Sequence, residues 1–184
     1  MVIFWKRVDF SGHEWCRLTD AADGSHVLQG VVLVQYGKSP AQIQYSIRCR
    51  ASWETESVEI AGGVGRKEIA LSLKVNRKKQ WRLNGQLVAA VNGCIDVDLG
   101  FSPSTNLLPI RRLKLKSGEI ADVTAAWVEF PTFKLKPLKQ CYSRDADLSY
   151  HYESAGGSFQ RDLVVDKNGF VRTYPGLWET EGFV

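Results

Sequence analysis

Asp96 and Asp98 stand two residues apart in the stretch 92–115, NGCIDVDLGFSPSTNLLPIRRLKL, and Arg111 and Arg112 follow in the same stretch. If residues 95–99 are extended, Ile95, Val97 and Leu99 point to one side of a sheet and the two aspartates to the other. Carboxylates at adjacent same-face positions repel unless a cation or hydrogen-bond donor comes between them. Arg111 and Arg112 can supply that donor once the chain turns between Pro103 and Pro109. Two arrangements meet the requirement. In one, the Asp96/Asp98 pair and an arginine form a polar anchor at a pocket mouth, gripping the hydroxyls of a sugar-like or phosphate-bearing headgroup. In the other, the same groups are a salt-bridge network that holds a long loop in place.

The pair also invites an acid–base reading, in which a small hydrolase or isomerase works on a lipid or sugar conjugate. Glycosidase carboxylates sit about 5–9 Å apart, which same-face strand neighbours also satisfy. Nothing in the stretch marks one aspartate as the acid and the other as the base. Other catalytic templates are missing. There is no Gly-x-Ser-x-Gly elbow, and His13, His26 and His151 have no evident nucleophile partner. Gly62-Gly63-Val64-Gly65-Arg66 lacks the lysine of a phosphate-binding loop and any surrounding βαβ unit, so it is expected to be a wide hairpin loop. Cys16, Cys49, Cys94 and Cys141 are too far apart in sequence for a zinc or redox motif and read as buried thiols. No metal or cofactor fingerprint is present. Of the six tryptophans, Trp53 and Trp81 stand near Arg50 and Arg82 and are candidate pocket walls, while Trp127 lies among small residues and is expected to be packed.

Positioning such groups falls to strands. Residues 41–49, AQIQYSIRC, place an apolar or small side chain at every odd position, and the pattern returns in 68–75 and 148–152. Further strands are expected at 15–18, 27–36, 56–60, 95–99, 120–130 and 161–165. Asp23-Gly24, Asn84-Gly85, Ser117-Gly118, Gly156-Gly157 and Asn168-Gly169 supply hairpin turns between them. Helical periodicity is nearly absent. A short helix is expected only after Asn106, with Pro109 early in it.

The fold class that follows is all-β: one strongly curved antiparallel sheet or open barrel, with one face lining a pocket and at most one or two short helices. Nothing in the composition marks a boundary, so residues 1–184 are expected to form a single domain. Apolar residues at 44% give such a core enough volume. The net charge of +4 is dispersed, and the densest basic run, Arg77 to Lys79, reads as a solvated turn, which argues against nucleic acid as a partner. No stretch is long and apolar enough to be a membrane span, and the N-terminal charges follow only a few apolar residues, unlike an export signal, so a cytoplasmic location is expected. A protein-recruiting module using an exposed aromatic face or sheet edge fits the same composition.

Residues 94–99, CIDVDL, followed by 103–113, PSTNLLPIRRL, resemble the bacterial glycolipid-binding family, formerly a domain of unknown function. The similarity continues through 125–131, AAWVEFP, through Gln140-Cys141-Tyr142 and Tyr150-His151-Tyr152, and through Val164-Val165-Asp166 to Tyr174-Pro175. The resemblance implies a large curved sheet similar to the periplasmic lipoprotein carriers, with a hydrophobic cavity for a lipid or glycolipid. It brings no catalytic residues. It does imply a pocket role for Asp96, Asp98, Asn106, Arg111 and Arg112.

Overall fold

Period-two burial runs through almost every segment of the computed structural model, which describes residues 1–183. The strands in chain order are β1 (Val2–Arg7), β2 (Gly12–Asp20), β3 (His26–Tyr36), β4 (Ser39–Cys49), β5 (Thr55–Val64), β6 (Lys67–Val75), β7 (Trp81–Leu83), β8 (Gln86–Leu87) and β9 (Val97–Leu99). After the helix α1 (Leu107–Leu113) come β10 (Ile120–Val128), β11 (Leu135–Ala146), β12 (Ser149–Ser154), β13 (Phe159–Val165), β14 (Val171–Tyr174) and β15 (Trp178–Phe183). All fifteen join one curved sheet that does not close into a barrel. Strands neighbour each other in chain order, except that β1 lies against β15 and the sheet ends at β8 and β9. Pairing is antiparallel apart from β9 with β10. No helix among the described residues is long and apolar enough to cross a membrane.

The inward face of β4 shows why the sheet forms. Ala41, Ile43, Tyr45, Ile47 and Cys49 are buried while the residues between them are not, and opposite them on β3 lie Val34, Val32 and Leu28. Each large aliphatic side chain buried this way contributes about 1.5–3 kcal/mol.

The concave side over this flank is filled by the chain itself. After β8 the backbone makes a 3₁₀ turn at Ala89–Val91 and crosses the inside of the sheet, and residues 101–110 are buried without a break. The crossing also ties the two flanks together. Ile95 O accepts from Thr55 N in β5 at 3.2 Å, and Asp96 O accepts from Ala126 N in β10 at 2.8 Å. Trp81 Nε1 donates to Cys94 O at 2.9 Å.

The short helix after Asn106 is present, with Pro109 as its third residue. It stops because Lys114 takes a left-handed conformation (φ 50°), and the alternating residues 112–116 form no strand. The glycines of 62–65 differ from expectation. Gly62 and Gly63 lie within β5, where a Cβ on Gly62 would overlap the Gln42 carbonyl, and the turn to β6 is only Gly65-Arg66. Ser117-Gly118 leads from α1 into β10 and joins no hairpin. Cys16, Cys49 and Cys94 are buried, but Cys141 is partly exposed because it faces outward beside Asp122.

Candidate functional site

Asp96 and Arg112 meet as a bidentate ion pair, with Nη2 to Oδ2 at 2.6 Å and Nε to Oδ1 at 3.0 Å. Asp96 is 1% exposed, and burial outweighs the guanidinium to hold its carboxyl above the ordinary range. The pair anchors the C-terminal end of α1 to the start of β9. Asp98 belongs to a different group. Its Oδ2 accepts from Gln140 Nε2 at 2.6 Å, and the same amide donates to Tyr152 Oη at 2.9 Å. Asp98 Oδ1 has no protein partner among the described residues.

Asp98 and Asn106 line one open cleft of about 330 Å³ on the β10–β15 flank. Its apolar walls include Trp127, Phe159, Tyr174 and Trp178, and Tyr152 and Ser154 add polar edges. Cross-strand register brings these groups together. Tyr142 opposes Tyr152, Gln140 opposes Ser154, and Ser154 opposes Phe159, so their side chains share the concave face. Asn106 is fixed by two bonds: Tyr142 Oη donates to its Oδ1 at 2.9 Å, and its Nδ2 donates to Pro103 O at 3.0 Å. Trp127 does not pack away as expected. It is half-buried, its indole lying over Gly100, where a Cβ would sit 2.7 Å from Nε1. Burial raises the Asp98 carboxyl to about 6 against the pull of the Gln140 bond, so at neutral pH it is mostly an ionised acceptor facing aromatic rings.

The floor beside the cleft is pinned by a group that sequence reasoning missed. Glu14 of β2 is fully buried. Its Oε1 accepts from Tyr45 Oη at 2.5 Å and from Ser102 Oγ at 2.6 Å, and Tyr45 Oη lies 2.7 Å from Ser104 Oγ. Glu14 Oε2 is the one buried side-chain nitrogen or oxygen among the described residues without a partner. Burial raises this carboxyl to about 8, against the hydrogen bonds from Ser102 and Tyr45, so Glu14 keeps its proton at neutral pH. Tyr45 reaches Glu14 by lying flat across Gly30 of β3, where a Cβ would overlap its ring. Gly30→Ala should therefore lower the unfolding free energy by about 1–3 kcal/mol through overpacking, measured by urea denaturation. The available signal was parity, since Glu14 shares the inward set of β2 with Cys16.

Arg111 and Trp53 come together elsewhere. Trp53 is buried, with His26 stacked on its ring at 3.8 Å between centroids and the Arg111 guanidinium over the ring at 4.8 Å. Both line a second cleft that shares no residue with the first. Trp81 is completely buried and lines neither. Tyr152, Phe159, Tyr174 and Trp178 were not singled out from sequence as pocket residues; an aromatic on a strand gives no sign of whether it packs in a core or borders an opening.

A family model described as "Putative glycolipid-binding" matches residues 2–180. The crystal structure of a DUF1089 family protein from Pseudomonas aeruginosa is similar with a TM-score of 0.78 and 31% identity, over 90% of this chain and 91% of that one. A β-barrel-like protein of domain of unknown function DUF1849 from Brucella abortus shares the fold at a TM-score of 0.54 and 8% identity, over 97% of this chain and 94% of that one. No curated protein matches.

Proposed function

This chain belongs to the glycolipid-binding family, and from that premise we propose that it binds an amphipathic, sugar-bearing lipid in the cleft between residues 98–106 and strands β10–β15. The observation that carries the proposal is the pairing of one ionised carboxylate, Asp98, with a ring of aromatic faces in a cleft of about 330 Å³. A sugar offers hydroxyl donors around its edge and apolar C–H faces above and below. Asp98 Oδ1 suits the former, and Trp127, Phe159 and Tyr174 suit the latter. The acid–base alternative needs two carboxylates at one bond. Asp96 is closed by Arg112 and lines no part of the cleft, which leaves Asp98 alone there.

A short-chain alkyl glucoside, kept below its micelle concentration, should bind with an affinity that falls about tenfold from pH 7 to pH 5 as Asp98 takes up its proton. The sign follows from the chemistry: a hydroxyl donor prefers the carboxylate, so binding is strongest above about pH 6. In Asp98→Asn the affinity should drop about tenfold at pH 7 and lose its pH dependence, and Trp127→Ala should weaken it at every pH. Calorimetric titration of all three proteins checks this. Unchanged binding in both variants would remove the cleft as the site, and hydrolysis of the glucoside by wild type and not by Asp98→Asn would restore the enzymatic reading.

A further inference from the structure

We infer that the second cleft, at the C-terminal end of α1, is a binding site for a phosphate group carried by a small ester or a lipid headgroup. This cleft has a volume of about 510 Å³ and is bordered by Arg111 and Lys114 from the end of α1, Arg144 from β11 and Lys167 from the β13–β14 turn. The C-terminal dipole of α1 accounts for cations on the helix itself. It does not account for Lys167, which another element brings to the same opening; Arg144 adds its charge there while its donors bind the Leu115, Ala146 and Asp147 carbonyls.

Three of these four cations are unpaired among the described residues. Arg111, Lys114 and Lys167 make no ion pair or side-chain hydrogen bond among the described residues. Two carboxylates, Asp147 and Asp166, stand at the rim against the four cations, which leaves the opening net positive. Asp166 is occupied by its own turn, accepting from Asn168 N and Phe170 N at 2.9 Å each, and Asp147 is fully solvated, 3.8 Å from Arg144. Arg111 is also held in place. Its guanidinium lies over the buried Trp53 ring. A preorganised guanidinium with free N–H donors, backed by lysines from separate elements, is the arrangement that recognises phosphate oxygens. Trp53, Ile110 and Val165 give the cleft an apolar floor, which suits an ester more than a bare ion.

The test is an amide and arginine side-chain NMR titration with inorganic phosphate, with glycerol 3-phosphate, and with sodium chloride at matched ionic strength. Saturable shifts centred on Arg111, Lys114 and residues 167–169, absent with chloride and weakened about tenfold in Arg111→Ala, would support the site. A parallel flotation assay uses phosphatidylcholine vesicles with and without phosphatidic acid. Binding of the soluble ester assigns a free phosphate ester as the ligand; binding only to phosphatidic acid vesicles, lost in Arg111→Ala and Lys167→Ala, assigns a lipid headgroup. Dispersed spectra of both variants would show that they remain folded. Linear shifts identical with chloride together with no vesicle selectivity, or binding untouched by both substitutions, would overturn the inference. None of these outcomes depends on the glucoside titration, because the two clefts share no residue.

Discussion

Replacing Arg112 with methionine should lower the unfolding free energy by about 3–5 kcal/mol, because it strands a buried carboxylate without its partner. Asp96 is 1% exposed, and both of its oxygens are bonded to that one guanidinium. Burial already holds its carboxyl above the usual range with the arginine present. Removing the arginine leaves desolvation unopposed at close range, so Asp96 must either stay charged in an apolar setting or take up a proton. The pair itself need not be a large net gain. Asp96→Asn combined with Arg112→Met should therefore recover much of the loss, since no charge is then left buried. Urea denaturation of the two single variants and the double variant measures the cycle. Additive losses would contradict this account of how α1 is anchored.

Glu14→Gln should abolish a pH dependence worth about 5 kcal/mol between pH 4.5 and 8. The folded protein keeps the Glu14 proton up to about pH 8, whereas the unfolded chain releases it near the ordinary glutamate value of 4.5. Across that window the folded state binds more protons, so wild-type stability declines as pH rises through it. Below the window both states are protonated, and above it both are ionised, so the slope is confined to the interval. Asp98, raised to about 6, titrates inside the same range, and His151 is raised by its bonds to Asp162 and Glu153, but both remain in the variant. The difference between wild type and Glu14→Gln then isolates Glu14. Parallel stability curves for the two proteins would show that Glu14 does not hold its proton in the fold.

Strand alternation carried most of the architecture. The inward sets of β4 and β6 can be read directly from the odd-numbered residues, and the two-residue turn Asn84-Gly85 has the positive φ at both positions (47° and 82°) that its sequence demands. What alternation could not reveal is β11. Its inward residues include Leu138, Gln140 and Tyr142 among lysines, so the polar groups that build the cleft erase the period-two signal that would have announced the strand. The crossing segment was misleading in the opposite sense. Ser102, Ser104, Thr105 and Asn106 have loop composition, yet all are buried, because Glu14, Tyr45, Tyr142 and the Leu99 N–H supply them with partners. Asp96 and Asp98 do share a segment, but the long-range partners Arg112 and Gln140 decide which is a clamp and which faces the cleft. Two residues of separation hold no information about that. Likewise Trp53 and Trp81 look equivalent beside an arginine in sequence, and only tertiary packing makes one the edge of a cleft and the other a filled core position.

A crystal structure of the protein grown with a short-chain glycolipid bears most directly on the binding site. The account predicts a sugar ring with a hydroxyl within hydrogen-bond distance of Asp98 Oδ1, a ring face against Trp127 or Phe159, and the alkyl chain leading along the apolar wall toward Tyr174 and Trp178. A sugar bound instead on the convex face of the sheet, or a cleft that stays empty while the glycolipid binds elsewhere, would contradict it.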